Sequence, residues 1–398
     1  VVLALSGIEP APTNMELHAW LTNQENRALD IGKVEPDANG TIAYTYSDPA
    51  KQNLMALYDG FEITQEPEFD DDPTPGPVVY SGRQALEPLA LIRQITVQAA
   101  DTPTGLAYGL GARQQTEEFI RHVEYIRLAF ELGSIADAQR HAEHIVNIIE
   151  GQTGQFFGDH DGLHGVQSPG DGFGAIPYVQ VMANTAAQAK DAPNATIAMA
   201  YHAEHVRLSS ENAQNWAAQV RDAALQITEI PNIGDIGPQL EVIERFSPLT
   251  LFGEDTNGDG EISPQEGGVF TAYQHAQYMA AVGVAVGDSG AVVDALPVLE
   301  PGVEEQVAAT GSVDVEMLDF EFVPISITIP AGTTVRWLNV GRDPHSATAD
   351  NDLFNSDLLD SGGEYSFTFD QPGVYSYYCL LHGLPGGTGM AGTVTVEP

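Results

Sequence analysis

The sequence predicts a multidomain protein with a β–α–β order: an N-terminal β domain, a central α-helical bundle and a C-terminal β domain. Residues 1–95 alternate apolar and polar positions between Pro, Asn, Asp and Gly turns, which is typical of strands. Residues 105–290 are rich in Ala, Gln, Glu and His with a 3.6-residue period. Residues 291–310 indicate a linker, and residues 311–398 are strand-like again. Because the two patterns are segregated, we expect separate domains rather than one interwoven sheet.

The composition is strongly acidic. The 398 residues include 56 Asp and Glu against only 15 Lys and Arg, for a formal net charge of −41. Such a chain repels nucleic acid and anionic membranes, so neither is an expected partner. Since 43% of the residues are hydrophobic, the chain is expected to fold rather than to form a disordered acidic tail. A strongly acidic surface with few lysines is suited to staying hydrated at high salt or to a location outside the cell.

Cysteine usage and hydropathy bear on the compartment. The single cysteine, Cys379, excludes an intrachain disulfide. No apolar run approaches the roughly eighteen residues of a membrane helix, so no membrane span is expected. The chain opens in a strand-like segment and lacks the basic start and cleavage site of a signal peptide. We therefore expect an extracytoplasmic protein (periplasmic, cell-surface or secreted) whose export signal has been removed.

Several short segments of the first region carry a family resemblance; they are 16–21, 30–32, 37–40, 61–67 and 75–82. Together they resemble the extracytoplasmic β-sandwich of anti-sigma-K factors. None of these segments is catalytic, and the membrane helix and sigma-binding segment of such factors are absent. The resemblance therefore implies the β-sandwich fold alone.

Four potential metal ligands stand near the C-terminus: His345, Cys379, His382 and Met390. The last three have the spacing Cys379-x2-His382-x7-Met390 between two strand-like runs, and His345 follows an earlier strand. A thiolate and two imidazoles with a weak axial thioether suit copper that cycles between two oxidation states. A lone cysteine can be a small buried hydrophobe and a methionine can fill space. Four ligands of three types in this order favour copper.

Residues 311–398 resemble the plastocyanin, halocyanin and auracyanin group of cupredoxins. The matching segments are 329–339, 343–345, 377–382 and 389–394. The resemblance implies a Greek-key β-sandwich with one type 1 (blue) copper and a role in one-electron transfer. The stretch from His382 to Met390 is longer than in the plastocyanins, so the axial bond length, the colour and the potential are left open.

An electron carrier needs a place where its partner can approach the metal. Apolar residues surround His382 in the sequence: Leu380, Leu381, Leu384 and Pro385. We expect the His382 ring edge to be exposed within this apolar patch and to form the electron port for a redox donor or acceptor. No hydrolase elbow, phosphate loop or zincin helix is present, so a non-catalytic carrier is favoured over an enzyme.

One loop of the helical region has the register of an EF-hand calcium loop. Oxygen donors occupy positions 1, 3, 5, 7, 9 and 12 of residues 255–266, the seventh through its backbone carbonyl: Asp255, Asn257, Asp259, Glu261, Ser263 and Glu266. Gly260 stands at the sixth position, where the loop turns sharply. An acidic loop in an acidic protein is the simpler alternative, but the full register favours structural calcium.

A second loop resembles a degenerate version of the first. Asp159, Asp161 and Asp171 are its candidate ligands, and Leu163 stands at the fifth position, where an oxygen donor is expected. The sequence therefore leaves a second calcium open.

The helical region also repeats a histidine pattern four times, with members three residues apart: His122 and Tyr125, His141 and His144, His202 and His205, His275 and Tyr278. Each pair lies on one helix face, and the repeat suggests an internal duplication. If the faces converge, up to six imidazoles meet at the bundle centre. A buried copper, iron, zinc or haem site is one interpretation, and a satisfied polar core is the simpler one.

Two further functions stay open at this stage. Calcium, acidity and two non-catalytic domains are compatible with a cell-surface or filament-forming subunit, as a homo-oligomer, in which the copper domain is ancillary. A metal in the helical bundle would instead favour an oxidoreductase that uses it beside the copper.

Overall fold

A computed structural model describes most of the 398-residue chain. The described residues are 1–25, 27–68, 74–163, 165–258, 262–294, 306–307, 312–318, 321–323, 325–341, 344–351, 353–384 and 388–397.

Strands occur at both ends of the chain. They are β1 (Val2–Leu5), β2 (Met15–Thr22), β3 (Ala28–Val34), β4 (Ile42–Thr45), β5 (Gly60–Pro67), β6 (Val78–Arg83), β7 (Ala285–Val286), β8 (Gln306–Val307), β9 (Ser312–Leu318), β10 (Glu321–Val323), β11 (Ser326–Pro330), β12 (Thr333–Asn339), β13 (Thr348–Ala349), β14 (Glu364–Phe369), β15 (Gly373–Leu384) and β16 (Thr388–Glu397).

Helices form the middle of the chain. They are α1 (Leu54–Leu57), α2 (Leu86–Thr96), α3 (Tyr108–Leu132), α4 (Ile135–Glu150), α5 (Ala175–Asp191), α6 (Ile197–Glu229), a 3₁₀ turn (Ile233–Asp235), α7 (Gly237–Phe252) and α8 (Val269–Tyr278). Among the helices of the described residues, none is both long and apolar enough to cross a membrane.

The N-terminal region packs a five-stranded sheet, in the order β3-β2-β5-β6-β7, against the two-stranded sheet β1-β4. Apolar side chains from both sheets, such as Leu17, Ile63 and Ile42, share one core. This is the region whose sequence resembles the anti-sigma-K β-sandwich, and that resemblance stays a prediction.

The helical region is built around the long helix α6, which packs against α4, α5, α7 and α8. Two local signals start its helices: the Ser134 and Thr196 side chains cap α4 and α6 by accepting hydrogen bonds from backbone N–H groups three residues later. Gly133, with a φ of 75°, ends α3 in the left-handed conformation that glycine adopts most easily, which lets α4 fold back on α3.

The C-terminal region is a sandwich of two sheets, β10-β9-β12-β14 and β13-β15-β16-β11-β8. Strand β12 alternates strictly between buried and half-buried positions, as a strand with one face on a core must. Its Trp337 is fully buried and stacks on Phe354 with ring centroids 5.1 Å apart. The β-sandwich predicted for this region is confirmed, and its core also contains Cys379 and Met390.

The boundaries between regions differ from the predicted ones. Residues 86–96 form helix α2, whose Ile92 and Ile95 lie in the helical core. After the helices the chain returns to the N-terminal sheet, where Ala285–Val286 pairs with Tyr80 and Ser81. The helical region is therefore inserted between two neighbouring strands of one sheet, and β7 covers a β6 edge that would otherwise be unpaired. Part of the predicted linker, Gln306–Val307, pairs with β11 of the C-terminal sandwich.

Candidate metal centres

His345 lies in the loop after β12 and is fully buried. Its backbone forms a two-way bridge with Leu359: the His345 N–H donates to the Leu359 carbonyl at 3.1 Å, and the Leu359 N–H donates to the His345 carbonyl at 2.7 Å. The buried Asn339 side chain reinforces this bridge by donating to the same Leu359 carbonyl at 2.8 Å and by accepting from the Gly341 N–H at 2.9 Å. The loop therefore holds the imidazole on a fixed backbone.

Cys379 and His382 lie near the end of β15, where the pairing with β16 shifts register just after Tyr378. A register shift of this kind breaks the strict alternation of side chains and re-aims them. Met390 precedes Ala391, the partner of Tyr378, so it lies beside Cys379 across the strand pair. Cys379 and Met390 are both almost fully buried.

Three predicted ligands are brought together. The Nδ1 atoms of His345 and His382 are 3.0 Å apart, and the Cys379 Sγ lies 3.8 Å from the first and 3.4 Å from the second. Donors about 2.0–2.3 Å from one shared metal ion lie about 3.3–3.8 Å from each other. The two sulfur–nitrogen distances lie within this range and the nitrogen–nitrogen distance lies just below it, so the three atoms surround a space about the size of one ion, and both imidazoles present their Nδ1 atoms to it. Met390 supplies a thioether beside the thiolate.

Ser346 connects the histidine loop to the cysteine strand. Its backbone N–H donates to the Cys379 Sγ at 3.4 Å, and its hydroxyl accepts from the Leu380 N–H at 2.8 Å. Hydrogen bonds to the sulfur are one of the factors that tune the potential of blue copper sites. The sequence did not single out Ser346 or Asn339; the adjacency of Ser346 to His345 was the only available signal.

The predicted electron port is described in part. Leu380 is 44% exposed and Leu381 is 53% exposed, and the neighbouring His382 is half-buried. The side chain of Leu384 and the whole of Pro385 lie outside the described residues.

The predicted calcium loop connects α7 to α8, and a β-bridge between Gly253 and Gly267 joins its two ends. The buried carboxylate of Glu266 is turned into the loop, where it accepts from the Thr256 N–H at 2.9 Å, the Thr256 hydroxyl at 2.6 Å and the Ser263 hydroxyl at 2.7 Å. These hydrogen bonds, that of the Thr256 hydroxyl first, lower the pKa of Glu266 to about 2.

Of the other predicted calcium ligands, Asp255 accepts from the Gly258 N–H at 2.6 Å, and Asn257 donates its backbone N–H to the Glu266 carboxylate at 3.1 Å. Asp259, Gly260 and Glu261 lie outside the described residues.

The second acidic loop gathers a different set from the predicted one. Carboxylate oxygens of Asp159 and Asp161 lie within 4.8 Å of each other and of Glu143, a residue of α4 that the sequence did not indicate. The Glu143 carboxylate accepts from backbone N–H groups of this loop, including that of Asp161 at 3.0 Å. Asp171 is not in this cluster of described residues, and its carboxylate accepts from the Tyr178 hydroxyl at 2.7 Å. A second calcium stays a prediction.

The six bundle histidines form two groups of three rather than one convergent centre. The first cluster, on α3 and α4, is His122, His141 and His144; the second cluster, on α6 and α8, is His202, His205 and His275. In each cluster the candidate ligand atoms all lie within 4.8 Å of one another. Helices α3 and α4 pack together, as do α6 and α8, and this pairing separates the histidines into two sets.

Burial keeps imidazoles of the first cluster neutral. It lowers the pKa of His122 to about 3, with the neighbouring His144 as the next cause, and that of His141 to about 4, with Arg140 as the next cause. Neutral imidazole is the form that binds a metal ion.

A β-sandwich whose core brings a thiolate, two imidazoles and a thioether to one place is the structure of a cupredoxin, the class of domain that transfers single electrons through copper. Residues 309–397 match the family of copper binding proteins of the plastocyanin/azurin type.

The curated relatives agree. The plastocyanin of Scenedesmus fuscus is 41% identical to this chain over a segment that covers 19% of the chain and 86% of the relative. The plastocyanin of Rumex obtusifolius is 36% identical over a segment that covers 19% of this chain and 87% of the relative. Among solved structures, a purple cupredoxin from Nitrosopumilus maritimus is 30% identical and covers 21% of this chain and 98% of its own, with a TM-score of 0.19. Through its C-terminal domain the chain belongs to the plastocyanin/azurin family of copper-binding proteins.

Proposed function

We propose that this chain is an extracytoplasmic blue copper protein that carries single electrons, with His345, Cys379 and His382 as equatorial ligands and Met390 as the axial one. The observation that carries the proposal is the convergence of the His345 Nδ1, the Cys379 Sγ and the His382 Nδ1 within 3.0–3.8 Å of one another. Bound copper would supply the one-electron couple.

The contribution of the protein is to keep the ligands in place when the charge of the ion changes. His345 is fixed by its backbone bridge to Leu359, and the Cys379 sulfur is held by the Ser346 N–H. Because these ligands are buried, little water would need to reorganise when an electron arrives or leaves.

We assign the docking face to the exposed leucines beside His382. Leu380 and Leu381 precede the half-buried imidazole on the same strand, so a partner that covers them comes close to a ligand ring. The formal charge of −41 makes docking sensitive to like charge and to salt.

Electron self-exchange tests this assignment, because the probe is a second copy of the protein. We expect Leu381→Asp to slow self-exchange by about tenfold or more at low ionic strength, since a new charge would enter the contact between two acidic molecules. The measurement is NMR line broadening in mixtures of oxidised and reduced protein.

The matched control is Val374→Asp, at the other end of β15, where the side chain is 69% exposed. It adds the same charge away from the proposed face and should leave the rate within about twofold of the wild type. Equal slowing by both variants would remove the docking face from the proposal while leaving the copper site in place.

We propose a structural calcium ion in the 255–266 loop, supported by the EF-hand register of its oxygen donors and by the inward-facing Glu266 carboxylate. Calcium that binds only the folded loop would raise the unfolding temperature. We expect Glu266→Gln to abolish this rise in a calcium titration followed by calorimetry. Glu241→Gln, an exposed change on α7, should keep it. A wild-type protein whose unfolding temperature ignores calcium would rule the site out.

A further inference from the structure

We infer that the helical region holds two further metal sites, one in each tri-histidine cluster, and that each binds a copper(II) ion through three imidazole nitrogens. This goes beyond the proposed electron carrier, because it adds two metal ions that are independent of the cupredoxin copper.

The first argument is that the same geometry is built twice, from different helices. His122 and His141 have ring centroids 5.1 Å apart with an interplanar angle of 38°, and their Nδ1 atoms are 2.9 Å apart. In the second cluster, the ring centroids of His275 and His202 are 5.1 Å apart, their interplanar angle is 33° and their Nδ1 atoms are 2.9 Å apart.

The third histidine of each cluster repeats the match. His144 lies edge-on to His122, with centroids 4.8 Å apart at 87°, and His205 lies edge-on to His275, with centroids 4.5 Å apart at 86°. Two different helix pairs therefore present the same arrangement of three rings, and coordination of one ion at each centre would account for it.

A tyrosine takes the same place beside each cluster. The Tyr125 ring lies 5.4 Å from that of His122 and 4.9 Å from that of His141. Tyr278 lies 5.6 Å from His275 and 5.3 Å from His202. These rings pack against the imidazoles and restrict their rotation, which favours a preformed set of ligands.

The nitrogen spacing fits a metal ion. In the second cluster the His275 Nδ1 lies 2.9 Å from the His202 Nδ1 and 3.3 Å from the His205 Nδ1, and one ligand atom of each histidine lies within 4.8 Å of the other two. Nitrogens bound about 2.0–2.1 Å from one tetrahedral ion lie about 3.3 Å apart.

In the first cluster the outer nitrogens have acceptors. The His144 Nε2 lies 3.0 Å from the Gln167 side-chain oxygen, and the His122 Nε2 lies 3.4 Å from a carboxylate oxygen of Glu118. Because these oxygens accept, the Nε2 atoms carry the protons and the Nδ1 lone pairs face inward. Metal-binding histidines are commonly oriented by such outer partners.

One inward lone pair has nothing to bind. The Nδ1 of His144 is buried and has no hydrogen-bond partner among the described residues, and the His144 residue is only 9% exposed. A buried acceptor without a partner is unfavourable, and a metal ion at the cluster centre would satisfy it.

The donor set selects the metal. Three imidazoles without a thiolate suit copper(II), nickel(II) or zinc(II), and among divalent first-row ions the affinity of such a site is highest for copper(II). His141 and His205 are partly exposed, which gives each cluster a path to solvent.

Metal stoichiometry of the full chain tests the inference. After copper(II) loading and gel filtration, we expect three copper ions per chain: one with the blue spectrum, and two with the wide hyperfine splitting of copper held by nitrogen ligands in the paramagnetic resonance spectrum. An equimolar zinc(II) competitor should not displace them.

Variants assign the two extra ions. His141→Ala and His205→Ala replace the partly exposed member of each cluster, so they disturb the fold least, and each should remove one non-blue copper. The double variant should remove both and keep the blue signal. His18→Ala, which changes a histidine of the N-terminal sheet, should bind all three ions.

Wild-type protein that retains one copper per chain would overturn the inference without reference to any variant. So would a double variant, folded by circular dichroism, that still retains three. The Cys379→Ser variant should lose the blue signal and keep the two non-blue copper ions. Failure of the proposed electron-transfer site can therefore be distinguished from failure of the two tri-histidine sites.

Discussion

Asn339→Ala should destabilise the C-terminal domain through the loop that holds His345. The Asn339 side chain is fully buried, donates to the Leu359 carbonyl at 2.8 Å and accepts from the Gly341 N–H at 2.9 Å. The same Leu359 carbonyl receives the His345 N–H at 3.1 Å. Removing the amide therefore weakens the support of a proposed copper ligand without touching the ligand itself.

The magnitude follows from what alanine leaves behind. Two hydrogen bonds contribute about 1 kcal/mol each. The Gly341 N–H keeps a second acceptor, the Met317 carbonyl at 3.0 Å, so it adds no penalty for an unpaired buried donor. The Leu359 carbonyl keeps the His345 N–H, so it adds little. We therefore expect the free energy of unfolding of this domain to fall by about 1–2 kcal/mol, the contribution of the two lost hydrogen bonds.

The assay is urea unfolding of the copper-loaded protein, followed through the thiolate-to-copper absorption, which reports on the C-terminal domain alone. The midpoint converts to free energy through the denaturant slope. Asn351→Ala, an exposed change in the same domain, is the control and should stay within about 0.5 kcal/mol of the wild type. A shift that small for Asn339→Ala would refute the role assigned to its amide.

Two other predictions concern the remaining regions. Arg221→Ala should lower the free energy of unfolding by about 3–5 kcal/mol, because it leaves the buried carboxylate of Glu150, 2.8 Å away, without its charge partner. The control Arg127→Ala removes one member of an exposed ion pair and should cost under about 1 kcal/mol. Equal shifts of the unfolding temperature in the two variants would contradict this prediction. Burial lowers the pKa of His18, but hydrogen bonds, that to Asp30 first, outweigh it, so the net pKa is raised above 6.5. The stabilisation from this group is therefore present below pH 6.5 and is lost as the pH rises through the raised pKa; an NMR titration that gives a pKa at or below 6.5, or one unchanged by Asp30→Asn, would contradict the assignment.

The sequence predicted the C-terminal domain best because its signals are local and chemical. The spacing of Cys379, His382 and Met390 fixes three ligand types on one strand pair, and the strict alternation of residues 333–339 fixes the buried face. Ser346 and Asn339 were not predicted, because a hydroxyl or an amide that supports a ligand has no characteristic spacing.

The helical region shows where such reasoning stops. A spacing of three places His141 and His144 on one helix face, but it does not say which helix will face them. Pairing α3 with α4 and α6 with α8 produces two clusters, a choice made by the apolar surfaces of all the helices together. The order of the motifs is also reversed between the pairs, so a simple tandem duplication does not describe them.

Loop and boundary predictions failed to capture long-range pairing. Asp171 was grouped with Asp159 and Asp161 by spacing, but the loop turns it toward Tyr178 while Glu143 of α4 takes its place. The return of the chain to the N-terminal sheet at β7 could not be predicted from the local sequence either, because a strand of two residues is too short to show an alternating pattern.

Visible absorption of the full chain during copper(II) titration tests the electron-carrier account most directly. A sulfur anion and two ring nitrogens around one ion should give an intense thiolate-to-copper band whose final absorbance corresponds to one blue copper per chain and which is absent in Cys379→Ser. A copper-saturated protein that shows no such band, or a band that survives the loss of the sulfur, would contradict the assignment of the C-terminal site.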